Sequence, residues 1–465
     1  MEILTKEQAF GADKAAMARG VAEETLVKNA GFAAACFIMR RYKKRPVFVM
    51  CGTGNNAADG LVIARTLALW GYPVTVADNG APEKFSLCRA TLTHRFGGKR
   101  VPLSRETVEK ALRQNALFVE AVFGIGLNRP VDDDLQDIFD FLNDNDADVV
   151  AVDVPAGVDA DTGAFLSTPP LCRATVTFCR PKPAHFLYPA KKYAGETVVA
   201  DIGINDDDVA RQNPFLRTAE KPASLTPDAQ THKYRRGAVL VAGGDMTGAA
   251  VLCATAALNG GAGWVEIACS SETKPVYAAY PSFVLTTNDF AAAATDKKVK
   301  ALAVGMGLGD GAHAKNVVES ALKSGKPVVL DADALRFIND ADLSRAVLTP
   351  HDGEFSRAFC EFDNEPSKIK KAIKAARKTK AVVVLKGPDT VIAAPDGTAV
   401  VNTETTPFLA TAGSGDVLSG LIAAELARGT APAKAAEAAV WRHAHALIGA
   451  TAPFTAEDLA HAAFF

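Results

Sequence analysis

At 465 residues the chain is too long for a single hydrophobic core, and two domains are expected. Its 51 Lys and Arg nearly balance 53 Asp and Glu, which argues against a basic nucleic-acid footprint or an acidic tail and leaves small-molecule chemistry as the natural class. Eight cysteines occur without a CxxC pair, Met1 to Lys6 lacks the pattern of a signal peptide, and no uncharged apolar run is long enough to span a bilayer. A cytoplasmic protein with neither nucleic-acid nor membrane partners is expected.

In chain order, the pattern from Asp13 to Arg41 predicts a helix. Pro46 to Met50 is a continuous apolar run of strand length, followed by the glycine loop Cys51 to Gly60, a helix over Leu61 to Gly71 and a strand at Val74 to Ala77. Strand, glycine loop, helix, strand is the signature of a parallel sheet whose ligand sits at the carboxyl ends of the strands. The loop is not the dinucleotide fingerprint, because after Gly52 and Gly54 it breaks into Asn55, Asn56 and the acid Asp59. Two further strands, Leu117 to Phe123 and Val149 to Val152, run into Gly124 to Pro130 and Asp153 to Asp159, and a fourth, Ala174 to Phe178, delivers Lys182. These loops are expected to converge on one crevice carrying Asn55, Asn56, Asp59, Glu120 and Asp153, although Asp59 and Asp153 would also serve as helix or turn caps.

The polar, proline-containing stretch Thr218 to Gln230 marks a domain boundary, dividing the chain into residues 1–218 and 225–465. Beyond it a second strand, glycine loop and helix unit runs through Ala238 to Ala242, Gly243 to Asp245 and Gly248 to Asn259. Further strand ends fall at Gly305 to Gly309, Asp331 to Asp333, Thr349 to Glu354 and Lys386 to Thr390, with a hairpin through Ala394 to Gly397 and a last Ala-rich helix over Ala431 to Gly449.

The stretch Thr411 to Gly420 carries the most chemistry. Its Gly413-Ser414-Gly415 turn enters an apolar helical pattern and so sets free N–H groups and a positive helix end beside the carboxylate of Asp416. That pairing suits a hydroxyl being deprotonated as it attacks a phosphoryl group, and also fits an ordinary acid in a first helical turn.

Taken in order, His232-Lys233 with Gly237, Gly305 to Gly309, Leu348 to Glu354, Leu385 to Gly387 with Thr390 to Ile392, and Gly413 to Gly420 resemble the ADP- or ATP-dependent NAD(P)H-hydrate dehydratases, a ribokinase-like branch. Gly52 with Asn55, Asn56, Asp59 and Gly60, then Phe123 to Pro130, then Asp153 to Gly163, resemble the NAD(P)H-hydrate epimerase domain fused ahead of it. The resemblance implies an α/β chain of two domains, an N-terminal Rossmann-like three-layer sandwich and a C-terminal ribokinase-like domain. It implies a homo-oligomer that acts on NAD(P)H hydrates, interconverting their R and S epimers and dehydrating the S form with ADP as phosphoryl donor and Mg²⁺.

On that resemblance Asp416 is the base, Gly413, Ser414 and Gly415 hold the phosphoryl group, and Lys386, Gly387, Pro388, Asp389 and Thr390 bind the adenine nucleotide. Ala250, Gly307 and His351 fall where the hydrate binds, though His351 would also serve as a capping residue. In the first half Asp153 and Lys182 match the acid/base pair, and Asn55, Asn56, Asp59, Gly124, Gly126, Asn128 and Arg129 the hydrate-binding positions. The potassium ligands map to Asn56, Glu120 and Ala156, and Ala156 stands where the family carries a Ser, so the cation loses a ligand, takes a water or is absent. Ala57 and Ala58 replace two glycines, and their Cβ atoms are expected to alter binding. A small-molecule kinase of the same fold with a non-catalytic first domain is the alternative reading.

Overall fold

The computed structural model describes residues 1–79, 82–224, 231–287, 289–339 and 341–462. It forms two units, Met1–Pro214 and Phe215–Phe465. Residues 225–230 of the expected linker lie outside the described residues. Its first part does not behave as linker: Leu216–Thr218 is a strand paired with Ala399–Val401, which carries residues 215–218 into the second unit.

The first unit carries β1 (Glu2–Ile3), β2 (Val47–Cys51), β3 (Val74–Asp78), β4 (Lys99–Pro102), β5 (Leu117–Ala121), β6 (Val149–Val152), β7 (Ala174–Phe178) and β8 (Glu196–Ala200). From β2 onward they make one parallel sheet in the order β4-β3-β2-β5-β6-β7-β8. The central strands are buried at every position, and apolar except at Glu120, because helices cover both faces. Val47, Val49 and Cys51 pack with helices Glu23–Arg41 and Asn55–Leu69, whereas Phe48, Met50 and Phe118 pack with Arg105–Arg113 and Asp133–Asp144. The result is a three-layer sandwich. The single helix expected over Asp13 to Arg41 is two, Lys6–Ala18 and Glu23–Arg41, broken where Gly20 turns left-handed at φ 103°.

The chain leaves β2 to one side for β3 and β4 and to the other for β5, so the sheet changes winding direction between β2 and β5, and a crevice opens at their carboxyl ends. Gly52 closes the base of that crevice: a Cβ built there would lie 2.1 Å from the Val122 carbonyl oxygen.

The second unit carries β9 (Leu216–Thr218), β10 (Ala238–Ala242), β11 (Trp264–Cys269), β12 (Val284–Thr287), β13 (Ala301–Val304), β14 (Val328–Leu330), β15 (Ala346–Leu348), β16 (Val382–Leu385), β17 (Val391–Ala393) and β18 (Ala399–Val401). They run in the order β9-β18-β17-β16-β15-β14-β13-β10-β11-β12. The stretch from β16 to β12 is parallel, and β17 is antiparallel to both its neighbours, as the expected hairpin requires. Helices Thr247–Asn259 and Ser414–Ala427 pack tightly together on this sheet, with Gly420 so close to its neighbour that a Cβ there would meet the Cys253 oxygen at 2.1 Å. The last long helix, Pro432–His445, is shorter than expected and is followed by a short one, Ala456–Ala460, that the sequence pattern did not reveal.

Gly52→Ala is expected to destabilise the first unit by about 1–3 kcal/mol through overpacking against β5, read as a lower denaturation midpoint. A shift below about 0.5 kcal/mol, the size of a neutral surface change, would contradict the close approach.

Candidate functional site

In the second unit the loops after β14, β15 and β16 meet the start of helix Ser414–Ala427. Asp331, only 1% exposed, ties them together. Its carboxylate accepts hydrogen bonds from Lys386 Nζ at 2.8 Å, Ser419 Oγ at 2.8 Å and Ala332 N at 2.9 Å. Lys386 also lies 3.7 Å from a Glu354 oxygen. Gly415 sits directly against its ammonium, where a Cβ would come within 3.2 Å of Lys386 Nζ. Gly413 is left-handed at φ 90°, and no side chain caps the helix, so its first-turn N–H groups are open to an anion beside a lysine. Ser414 is fixed from behind by His443, whose Nε2 lies 3.1 Å from its hydroxyl and 2.9 Å from its carbonyl oxygen. Burial pushes His443 down to about 4, so the ring is neutral.

Burial also pushes Asp416 up to about 7, with Asp331 and Glu354 adding to the rise and Lys386 opposing it. Lys386 is itself held above its ordinary value: burial lowers it, but Asp331 and Glu354 outweigh burial. The cluster therefore combines a fixed cation with a carboxylate poised to take a proton near neutrality.

The segment Lys386 to Thr390 is closed by Thr390 Oγ1 donating to the Gly387 oxygen at 2.8 Å and by Lys368 reaching Asp389 at 2.5 Å, while Pro388 stands exposed at the turn. Gly307 is left-handed at φ 63° against Met246. Ala250 is wholly buried in the core of this unit. His351 caps helix Asp352–Ala358, accepting from Gly353 N and Glu354 N through Nδ1, which leaves Nε2 as the exposed ring nitrogen. A hollow of about 590 Å³ opens next to Gly307, bounded by Gly243 to Asp245 and Leu308 to Gly311.

In the first unit the β2 and β5 loops border a cavity of about 600 Å³ lined by Asn55, Asn56, Asp59, Gly124, Gly126, Asp153 and Lys182. Asp153, itself left-handed at φ 72°, accepts from Lys182 Nζ at 2.7 Å, Thr177 Oγ1 at 3.1 Å and Ile125 N at 3.2 Å. Burial raises its carboxyl, yet Lys182 outweighs burial and holds it below the usual range. Asp59 is driven well above that range by burial, then by Asp153 and Asp13. One Asp59 oxygen and both amide atoms of Asn56 are buried without a partner, as groups awaiting a ligand would be. A Cβ at Gly124 would come within 2.8 Å of an Asp153 oxygen.

Several expectations need correction. Ala57 and Ala58 are fully buried in the core on the helix side, so their methyl groups do not enter the cavity. Asn128 and Arg129 are exposed and do not line it. Glu120 does not line it either: wholly buried, it spends its oxygens on Val122 N at 2.7 Å and Ala156 N at 2.9 Å, and burial, only partly offset by those bonds, pushes it up to about 7. With Glu120 committed to the main chain and Ala156 lacking an oxygen on its side chain, this set does not fit a potassium ion. No three His, Cys, Asp or Glu among the described residues cluster as a metal site.

Asp331, Glu354, Lys368 and Asp13 were not expected at these sites. Asp331 and Glu354 do stand at strand ends, a signal that could have found them.

The second unit thus has the fold of the ribokinase-like class, with an uncapped helix start beside the Asp416 carboxyl, and the first is a Rossmann-like domain with a polar crevice. The profile of the NAD(P)H-hydrate dehydratases matches residues 238–464, and that of the YjeF-related protein N-terminus matches residues 23–184. The bifunctional NAD(P)H-hydrate repair enzyme Nnr of Moorella thermoacetica is 35% identical, over 90% of this chain and 86% of its own length. That of Pyrobaculum aerophilum is 32% identical, over 95% and 92%. A crystal structure of ADP/ATP-dependent NAD(P)H-hydrate dehydratase from Bacillus subtilis, co-crystallised with ATP/Mg²⁺, is 30% identical over 50% of this chain and 90% of that one, with a TM-score of 0.44. The chain belongs to the family of bifunctional NAD(P)H-hydrate repair enzymes.

Carbon-13 NMR is expected to find the Asp416 carboxyl titrating near pH 7. Asp331→Asn removes the neighbouring negative charge and frees Lys386 to act on Asp416 alone, so the titration moves to lower pH; an unchanged or higher midpoint would be inconsistent with this cluster.

Proposed function

We propose that the chain repairs hydrated nicotinamide cofactors, with dehydration in the second unit and epimerisation in the first. The observation that carries the reading is the juxtaposition of Asp416, the Lys386 ammonium and the uncapped helix start at Gly415. A hydroxyl is a poor leaving group and a phosphate a good one. Asp416 takes the proton of the S hydrate's hydroxyl as its oxygen attacks the terminal phosphoryl group of ADP, while Lys386 and the N–H groups of Gly413, Ser414 and Gly415 hold the charge that develops. AMP leaves, phosphate then departs from the ring carbon, and loss of a ring proton restores the double bond of NAD(P)H. Lys386 to Thr390, braced by Lys368, binds the nucleotide. His351 and Gly307 border the hydrate, whose dinucleotide body is accommodated by the hollow between Gly243 to Asp245 and Leu308 to Gly311; Ala250, wholly buried, packs behind the site and not against the ligand.

Mg²⁺ would come with the nucleotide held by Lys386 to Thr390, where it would neutralise phosphate charge.

Epimerisation requires the ring carbon–oxygen bond to break, the ring nitrogen lone pair filling the gap, and water to return on the opposite face. Asp153 and Lys182 supply one proton carrier, and Asn55, Asn56, Asp59, Gly124 and Gly126 hold the hydrate around it. We assign the protein to the cytoplasm, consistent with eight unpaired cysteines. Among the described residues no helix is long and apolar enough to cross a membrane. Self-association is the natural use of exposed apolar side chains such as Phe32 and Leu69.

The test is NADPH recovery, followed by absorbance, from the S hydrate with ADP or ATP. ADP-dependent recovery that disappears in Asp416→Ala is expected; a stable phosphorylated product with ATP would select the small-molecule kinase instead. Because Asp416 must be deprotonated to act, kcat/KM is expected to fall about tenfold per pH unit below about pH 7. Epimerisation of the R hydrate is expected to be equally fast in potassium and sodium buffers, and a potassium requirement would contradict the commitment of Glu120 to the main chain.

A further inference from the structure

A planar ring attacked from both faces needs a proton carrier on each, and Asp153 with Lys182 accounts for only the sheet side of the cavity. Another part of the lining comes from the helix Lys6–Ala18, which contributes Ala9, Asp13 and Met17 to the cavity at four-residue intervals. Asp13 is the only carboxylate on that face. The helix is fixed relative to Lys182, since Leu4 N donates to the Pro181 oxygen at 3.0 Å, one residue before the lysine, and Lys6 N donates to Asp161 at 2.7 Å. Its start is set by the capping box of Thr5 and Gln8, and its far end lies beside Arg19, paired with Asp208 at 2.7 Å.

We propose that Asp13 is the second proton carrier of the epimerase site, acting on the face of the hydrated ring opposite Asp153 and Lys182. The inference rests on the epimerase reading of the first unit. In the balanced cycle, one carrier gives a proton to the departing hydroxyl, which leaves as water with the bonding electron pair. The ring nitrogen lone pair forms the C=N bond, water adds from the other face, and the second carrier takes the proton it sheds. No oxidant, reductant or metal is required.

Asp13 makes no hydrogen bond or ion pair among the described residues, so its carboxyl is available. Burial pushes it up to about 6, with Lys182 pulling down and Asp153 and Glu23 pushing up. The ionisable groups around it are therefore Lys182, Asp153, Glu23 and Asp59, with Lys14 on its own helix and Cys179 beyond. Asp59 shares the cavity, and burial together with Asp153 and Asp13 raises its carboxyl well above the ordinary value, whereas Asp13, pushed up to about 6, can both give and take a proton near neutral pH. The apolar part of the same wall, Leu4, Ala12, Leu26 and Ile202, suits the carbon face of a ring and excludes bulk water.

The experiment uses the full-length chain and the purified R hydrate of NADPH, without ADP, following R-to-S conversion by chromatography against the spontaneous rate. Dehydration of the S hydrate with ADP, in the same preparations, reports that each variant chain is intact. Asp13→Asn is expected to slow conversion by about 100-fold or more and to abolish the limb near pH 6 in the wild-type rate profile. Asp13→Glu, which keeps the proton, is expected to recover part of the rate and the limb. Conversion by Asp13→Asn within about threefold of wild type, or Asn and Glu variants that are equally slow, would overturn the assignment. A wild-type chain no faster than the spontaneous reaction would instead remove the epimerase reading on which it rests.

Discussion

Each unit depends on a buried aspartate that holds a lysine at the carboxyl edge of a parallel sheet. Asp331 fixes Lys386 in the second unit, and Asp153 fixes Lys182 in the first. Taking such charges out of water is costly, and neither pair would persist without the extra donors that satisfy the carboxylates: Ser419 and the Ala332 amide in one, Thr177 and the Ile125 amide in the other. The consequence reaches the neighbouring acids. With the lysine already engaged, Asp416 and Asp59 are left under-compensated, and burial drives both toward the protonated form. The aspartate of each ion pair thereby adds to the rise that burial imposes on a neighbouring acid.

Much of this was legible in the sequence because parallel strands covered on both faces are written as unbroken apolar runs. The runs at Val47–Cys51 and Val382–Leu385 therefore announce where each polar loop begins. The stretches Gly413 to Gly415 and Asn55-Asn56, both at helix starts, are recognisable for the same reason: an abrupt change from apolar period to small and polar residues. Direction was not legible. Whether Ala57 and Ala58 face the ligand or the core depends on the phase of helix Asn55–Leu69, and the structure turns them inward. Glu120 was expected as a ligand on the family resemblance; only the position of the Val122 and Ala156 amides reveals that it is already bound.

Asp13 was hidden for a different reason. It sits mid-helix, far upstream of every glycine loop, with nothing local to distinguish it from a solvated acid on a mixed-charge helix. Its place in the cavity is a tertiary fact, created by the contacts of Leu4 with Pro181 and of Lys6 with Asp161. The strand Leu216–Thr218 is similar, since its pairing with β18 joins residues far apart in sequence and overrides the linker-like composition that follows.

The near contact of Gly420 with Cys253 gives the second unit a mechanical property. The helix that presents Gly415 and Asp416 to the ligand is clamped one turn later against its neighbour, at a separation that admits no side chain at all. The phosphate-facing loop therefore cannot close over its ligand as a flap hinged on that helix. On the proposed reading, the base is therefore carried by the most rigid element of the site.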